Sequence, residues 1–203
     1  MPTKQKGQFI VFYGTNALGK TTQAKMLVEN LIVKFGKNAE YLKYAVYNLE
    51  PSGLLISNYL KEGNTNGFTP REFQLLQVLN RTQYEPKLKE KFDKGTWIVA
   101  EDYIGTGIAW GMATGIDKEL LYKLNSHLLT EDLGILFEGE PFLESLEKNN
   151  IHEADLATLK KVSENFKLLA DEFGWHKINA NQPIEKVQEE IMAIVRSKLS
   201  IIE

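Results

Sequence analysis

The sequence predicts an α/β fold in which a five-stranded parallel sheet is covered by helices on both faces. Five short apolar runs have the length of buried strands, and segments with apolar residues at helical spacing separate them. Strands that alternate with helices form parallel sheets, because each helical crossover returns the chain to the same edge of the sheet. The 203 residues, of which 43% are hydrophobic, are enough to bury one such core.

Three of the predicted strands lie in the first half of the chain, at residues 8–13, 40–46 and 96–100. The helix predicted at residues 20–35 repeats apolar side chains every three or four positions and ends at Gly36, a suitable C-cap. Turn residues separate the second strand from a short helix predicted at residues 54–60.

A long helix is expected to begin after Thr69, a suitable N-cap, with Pro70 in its first turn. It runs towards Tyr84. Pro86 is expected to kink or restart it before it ends near Phe92, because proline cannot donate a helical hydrogen bond.

The second half of the chain contains two more predicted strands and three helices, at residues 133–137 and 175–178, and at residues 117–129, 154–173 and from Pro183 onward. Asp117 is a suitable N-cap for the first of these helices. No repeat, low-complexity run or linker interrupts the pattern. Residues 1–203 are therefore expected to form one domain, with the polar segment at about 142–157 as a short lid.

Composition excludes several classes of function. The chain has no cysteine, which excludes disulfides, thiolate metal sites and a cysteine nucleophile. A net charge of -3 does not suggest a nucleic-acid binder. No secretory pattern is seen, and no apolar stretch approaches the roughly 20 residues that span a bilayer. A cytoplasmic protein without membrane contact is expected.

A glycine-rich loop between the first strand and the first helix predicts a triphosphate site. Gly14 and the Gly19-Lys20-Thr21 triplet match the P-loop pattern, in which backbone N–H groups converge on phosphate oxygens at a helix N-terminus. Lys20 would reach the β- and γ-phosphates and Thr21 would ligate Mg²⁺. The pattern predicts a P-loop NTPase three-layer sandwich. The residues expected to bind an ATP-like donor here are Gly14, Thr15, Asn16, Ala17, Leu18, Gly19, Lys20, Thr21 and Thr22.

A pair of carboxylates follows the third strand. Glu101 and Asp102 stand where P-loop folds carry a second acidic element that holds Mg²⁺ directly or through water. We expect Thr21 and Glu101 to bind the metal, and Lys20 and Glu101 to be the catalytic residues.

At these motifs the chain resembles the thymidylate kinases, a family of nucleoside monophosphate kinases. The resemblance runs from about residue 8 to residue 195. It is carried by the P-loop and by five further segments in matching order, namely Glu50-Pro51, Asn80-Arg81-Thr82-Gln83, Tyr103 with residues 106–111, Glu140-Pro141 and residues 178–187.

The resemblance implies transfer of the ATP γ-phosphoryl group to dTMP, with Mg²⁺ as cofactor, by a homodimeric enzyme. Arg81 would hydrogen-bond the thymine edge, Trp110 would lie beside the deoxyribose, and Glu50 would lie near the acceptor phosphate. The other acceptor-site residues implied are Tyr103, Thr106 and Gly107. Those implied near the adenine of ATP are Asn179, Ala180 and Asn181.

The chain departs from the family pattern where that family uses cations and an aromatic residue. The arginine of the Asp-Arg motif is Asp102, that of the Arg-Glu-Pro element is Leu49, and the aromatic residue that stacks on thymine is Gln77. The P-loop has Asn16 and Ala17 in place of a charged residue and a glycine, and residues 142–155 contain no arginine. Lys43 and Lys148 are candidate replacements for the missing cations.

Three functions remain open at this point. The first is a divergent thymidylate kinase. The second is a deoxynucleoside kinase with Glu50 as the base on an uncharged acceptor, although the arginine-rich lid of those enzymes is missing. The third is a nucleotide-binding or regulatory protein with weak or lost transfer activity.

Overall fold

A five-stranded parallel sheet forms the centre of the computed structural model, which describes residues 6–142 and 156–199. The order of the strands across the sheet is β2-β3-β1-β4-β5. The strands are β1 (Phe9–Tyr13), β2 (Ala39–Lys43), β3 (Trp97–Glu101), β4 (Leu133–Glu138) and β5 (His176–Asn179). Each neighbouring pair is parallel, so the predicted five-stranded parallel sheet is confirmed.

The helices connect these strands and cover both faces of the sheet. They are α1 (Lys20–Phe35), α2 (Ser52–Lys61), α3 (Pro70–Asp93), α4 (Ile104–Ala113), α5 (Lys118–Asn125), α6 (Leu156–Phe173) and α7 (Ile184–Leu199). Helix α3 begins with a capping box between Thr69 and Glu72. Helix α1 begins at Lys20, directly after Gly19 of the glycine-rich loop, and ends at Gly36 in the left-handed region, as its sequence predicts.

Alternate side chains of the strands build a separate core on each face. Ile10 and Phe12 of β1 pack with apolar residues of α1 and α7, whereas Phe9, Val11 and Tyr13 pack with α3, α4, α5 and α6. All five residues of β1 are at most 1% exposed, which explains why this strand reads as an unbroken apolar run.

Two predicted element boundaries differ from the structure by three residues or more. Strand β2 ends at Lys43 because its partner β3 ends at Glu101, and the backbone N–H of Val46 then donates to the Asn80 side chain instead of to a strand. Helix α5 ends at Asn125, before the predicted residue 129, and the N–H of Leu129 donates to the Glu85 carboxylate at 2.7 Å.

Helix α3 runs through Pro86 without interruption, so the predicted restart of the helix there is wrong. Glu85, Leu88 and Phe92 are buried, so the part of the helix on both sides of Pro86 packs against the rest of the protein. Helix α4 was not predicted from the sequence at all.

Most of the predicted lid, residues 143–155, lies outside the described residues. Among residues 6–142 and 156–199, no helix combines the length and apolar character needed to cross a bilayer.

Candidate functional site

A cleft of about 440 Å³ opens at the edge of the sheet where β1, β2 and β3 end. The loop after β1, the carboxylates after β3 and one face each of α3 and α4 line it. Parallel strands place their carboxyl ends at one edge, where α/β proteins bind their ligands. The P-loop and four of the residues predicted for the acceptor, Arg81, Thr106, Gly107 and Trp110, therefore meet in a single cleft.

The P-loop has the backbone shape that the sequence pattern predicts. Gly14 and Gly19 have positive φ angles of 132° and 77°, and Ala17 reaches 58° although it carries a Cβ. Helix α1 begins at Lys20, and its N-cap residue, Gly19, has no side chain that could bond the first N–H groups. The first turn contains no acidic residue either. The N–H groups of that turn therefore remain available for an anion.

Lys20 is buried at the centre of the loop. Its Nζ donates to the carbonyl oxygens of Gly14 and Thr15, at 2.9 and 2.7 Å, and lies 3.9 Å from a carboxylate oxygen of Asp102. Only 5% of the residue is exposed. A phosphate that binds in the loop would exchange these oxygen contacts for its own.

Glu101 lies directly beside Thr21. The Thr21 hydroxyl donates to one carboxylate oxygen of Glu101 at 3.1 Å, and the Tyr41 hydroxyl donates to the other. Burial and the hydrogen bond to Glu101 raise the pKa of Tyr41 above its ordinary value, so this phenol stays protonated and keeps donating.

The Thr21 and Glu101 oxygens fit a magnesium ion. Octahedral Mg²⁺ with metal–oxygen distances of about 2.0–2.1 Å holds adjacent ligands about 2.9 Å apart, close to the 3.1 Å between these two oxygens. Within the described ranges no group of three or more His, Asp or Glu side chains forms a metal cluster. Mg²⁺ beside a nucleotide commonly has one or two carboxylates, water and phosphate oxygens as its ligands.

Asp102 faces the same cleft from a left-handed backbone, with φ of 61°. Its carboxylate accepts a hydrogen bond from Thr106 at 3.3 Å and lies near Lys20. It therefore brings negative charge between the P-loop and the rest of the cleft.

Arg81 lies at the other end of the cleft and is 2% exposed. Its guanidinium donates to the Asn125 side chain at 3.3 Å and to the Tyr103 carbonyl at 3.0 Å. Burial lowers the pKa of Arg81 below its ordinary value, but a guanidinium remains charged in proteins. No carboxylate in the described part of the chain forms an ion pair with it.

The structure brings most of the predicted site residues into the cleft but not all of them. Those that line it are Gly14, Asn16, Ala17, Leu18, Gly19, Lys20, Thr21, Thr22, Arg81, Glu101, Thr106, Gly107 and Trp110. Of the two candidate replacement lysines, Lys43 lines the cleft and Lys148 lies outside the described residues.

Several predicted residues lie elsewhere. The Tyr103 side chain packs in the core against Phe9, and only its carbonyl contacts Arg81. Glu50 is exposed, and its carbonyl accepts from the Gln83 side chain. Thr15 contributes its carbonyl to Lys20.

The segment predicted to lie near adenine, Asn179 to Asn181, begins at the last residue of β5 and does not line the cleft. The Asn181 side chain bonds the backbone of Glu140 in both directions. The segment after β4, to which Glu140 belongs, also contacts the P-loop, because the Phe142 N–H donates to the Ala17 carbonyl at 2.8 Å. Its role with adenine stays a prediction.

Two residues of the site, Gln74 in the cleft and Tyr41 beside Glu101, were not predicted from the sequence. Gln74, Gln77 and Arg81 are three and four residues apart on α3, so all three share one helical face towards the cleft. Tyr41 and Lys43 alternate along β2 and lie on the same side of the sheet. Either spacing could have identified them once Arg81 and Lys43 were candidates.

A family model described as Thymidylate kinase matches residues 12–191 of the chain. The chain belongs to the thymidylate kinase family. The resemblance that the motifs predicted is therefore confirmed, and with it the P-loop fold and the general class of nucleoside monophosphate kinases.

Individual relatives agree with the family match. A thymidylate kinase of Plasmodium falciparum (isolate 3D7) is 31% identical over 194 residues, which cover 93% of this chain and 90% of the relative. A probable thymidylate kinase of Pyrococcus abyssi is 29% identical and covers 96% of this chain and 98% of its own. The structure of thymidylate kinase from Candida albicans has a TM-score of 0.75 at 22% identity, with coverage of 97% of this chain and 94% of that chain, and it supports the fold.

We predict that Lys20→Ala weakens ATP binding by roughly 10- to 100-fold, because it removes a charge-assisted contact to the phosphates. Isothermal titration calorimetry measures the change. Lys34→Ala, an exposed lysine at the far end of α1, is the matched control and should bind ATP as the unaltered chain does. Equal ATP affinity in the two variants would contradict the assignment of the phosphate site.

Proposed function

We propose that this chain transfers the γ-phosphoryl group of ATP to dTMP, giving dTDP and ADP, in a reaction that requires Mg²⁺. The observation that carries the proposal is that the P-loop and the buried Arg81 line one continuous cleft. A kinase for a nucleotide needs such a cleft, since the donor phosphates and the acceptor must be held in line. In this proposal residues 1–203 act as one kinase domain with a lid at about 142–157.

At the donor end, the N–H groups of the first turn of α1 and the Lys20 ammonium would bind the triphosphate. Lys20 Nζ contacts two carbonyl oxygens of the loop and lies near the Asp102 carboxylate, so it points into the loop rather than to solvent. This position supports a role in binding the phosphates. Thr21 and Glu101 would hold Mg²⁺, which when bound neutralises charge on the phosphate oxygens. Tyr41 would keep Glu101 oriented by its hydrogen bond. Asn179, Ala180 and Asn181 would contact the adenine.

At the acceptor end, Arg81 would donate to the base, while Thr106, Gly107 and Trp110 of α4 would border the nucleoside. Gly107 gives room to Arg81 there, since a Cβ at this position would lie 2.8 Å from Arg81 Nη2 and would displace the guanidinium. Glu50 would contribute only if the acceptor brings it towards the cleft.

The acceptor phosphate needs cations, since it brings about two negative charges next to the triphosphate. Lys43 and Lys61 line the cleft and are the cations we propose for this role. Asp102 opposes them, because its carboxylate also faces the cleft. The same carboxylate favours the second candidate, a nucleotide-binding protein in which transfer is slow or lost.

We further propose that the protein is a homodimer in the cytoplasm and acts without nucleic acid or membrane. Leu75 and Leu79 of α3 and Leu54 of α2 are between 41% and 51% exposed. Apolar side chains exposed on neighbouring helices favour packing against a second copy.

Release of ADP from Mg-ATP with a panel of acceptors tests the proposed reaction. We expect turnover with dTMP well above the ATP-only background, and little with thymidine or deoxycytidine, because the cleft is lined by cations that match a phosphate. A coupled spectrophotometric assay measures the rate. Turnover with a nucleoside alone would move the assignment to a deoxynucleoside kinase, and ATP binding without any turnover would favour the nucleotide-binding candidate.

We predict that Asp102→Arg raises the rate with dTMP by about 10-fold or more, because it removes a repelling charge and supplies a cation at the transferred phosphoryl group. Steady-state kinetics at saturating ATP measures it. Asp102→Asn separates the two effects, since it removes the negative charge and adds none. A rate that falls in both variants would mean that this carboxylate takes part in the reaction.

A further inference from the structure

A second cavity, of about 300 Å³, lies beside the first residues of β4 and β5. Among the described residues, none lines both this cavity and the cleft that contains the P-loop. Its volume is at the lower end of the range for small-molecule sites, which is roughly 300–1,000 Å³. The side chains in its wall include the carboxylate of Glu131 and the rings of Tyr13, Phe173 and Trp175.

Two hydrogen bonds fix Glu131 in the wall of this cavity. Its Oε1 accepts from the Tyr13 hydroxyl and from Nε1 of Trp175, each at 2.9 Å. The rings of Tyr13 and Trp175 are stacked, with their centroids 3.9 Å apart. Gly134 leaves room for this stack, since a Cβ at its position would lie 2.1 Å from Cδ1 of Trp175. The carboxylate is therefore already oriented before any ligand binds, which lowers the cost of binding.

The other oxygen of this carboxylate, Oε2, is available to a ligand. It accepts a hydrogen bond from no other described residue, and it is not among the polar atoms that are both fully buried and unbonded. Oε2 therefore has accessible surface in the cavity that Glu131 lines. Within the described ranges, Glu131 forms no ion pair with a lysine, arginine or histidine. Burial raises the pKa of its carboxyl above the ordinary value, because the ionised form loses water.

A carboxylate that is shielded from water and has no cationic partner favours a positively charged ligand. Buried charges in proteins are paired or bind metals. A metal ion would lack ligands here, because the described part of the chain has no group of three or more His, Asp or Glu side chains that could hold one. A protonated amine matches Glu131, since an ammonium has only N–H donors and Oε2 accepts.

The other side chains of the cavity determine what the amine carries. Phe173 is 47% exposed and stacks on Trp175 with ring centroids 5.6 Å apart, so an aromatic body can pack against it. Burial and the nearby Lys198 lower the pKa of His176, which leaves this imidazole neutral at pH 7. Lys198 also lines the cavity and would repel a second positive charge, which favours a monoamine over a polyamine.

We propose that this cavity is a binding site for a small arylalkyl monoamine. The ammonium donates to Oε2 of Glu131, and the aromatic body packs against Phe173. The site lies apart from the residues assigned to phosphoryl transfer, so the inference goes beyond the proposed function and does not depend on it.

Equilibrium binding of benzylamine tests the proposal, with benzyl alcohol as a neutral probe of the same size. Benzylamine is protonated at pH 7 and should bind at least about 10-fold more tightly than benzyl alcohol, because hydrogen bonds between charged groups are the stronger ones. Glu131→Gln still accepts from Tyr13 and Trp175 but carries no charge, so the preference should fall to about 2-fold or less. Glu189→Gln removes an exposed carboxylate of α7 and is the matched control, which should keep the preference.

NMR spectra of the indole N–H groups locate the bound amine in the unaltered chain. Titration with benzylamine should shift the resonance of Trp175, because its N–H donates to Glu131, and should leave those of Trp97 and Trp110 in place. A thermal melt establishes that Glu131→Gln folds. If it does not, the resonance shift decides.

Three results would overturn the proposal. They are equal binding of benzylamine and benzyl alcohol by the unaltered chain, an unchanged preference in a folded Glu131→Gln variant, and a shift confined to Trp110, which lines the cleft that contains the P-loop. Each of them leaves the proposed kinase reaction standing, because that reaction is measured separately with ATP and dTMP.

Discussion

The parallel register of β1 and β3 is the constraint on which the site depends. Phe12 of β1 is paired with Glu101 of β3, so the loop that follows one strand and the carboxylates that follow the other leave the sheet side by side. Thr21 reaches Glu101 and Lys20 reaches Asp102 only because of this register. A slip of one residue in this pairing would turn the Glu101 side chain to the opposite face of the sheet, away from Thr21. The apolar core on each face of β1 and β3 therefore holds the chemistry in place.

The two ends of the cleft differ in how their cations are satisfied. Lys20 has two carbonyl oxygens and a nearby carboxylate, so the donor site is internally balanced. Arg81 has two neutral acceptors, an unbonded Nε and no ion pair among the described residues. The acceptor end is thus the one that gains most from a bound ligand, and the donor end must first release Lys20 from its own loop.

The sequence predicted the sheet, helix α1 and the P-loop because local pattern determines them. Helix α4 could not be predicted, since Gly105, Gly107 and Gly111 have low helix propensity and give no apolar periodicity. These glycines are explained by tertiary contacts: added Cβ atoms would meet Trp175, Arg81 and Leu121 within 3 Å. Likewise, the local sequence does not reveal that Glu50 is exposed. Nor does it reveal that α3 continues past Pro86, where Glu85, Leu88 and Phe92 are buried by tertiary packing.

A ligand in which adenosine and thymidine are joined through five phosphates tests most directly whether one cleft serves both donor and acceptor. If it does, calorimetry should find that this ligand binds at least about 100-fold more tightly than ATP or dTMP alone, since the second nucleotide binds intramolecularly. Adenosine pentaphosphate controls for the added charge. If the joined ligand binds no more tightly than adenosine pentaphosphate, the thymidine end has no site in the cleft, and the proposed phosphoryl transfer is wrong.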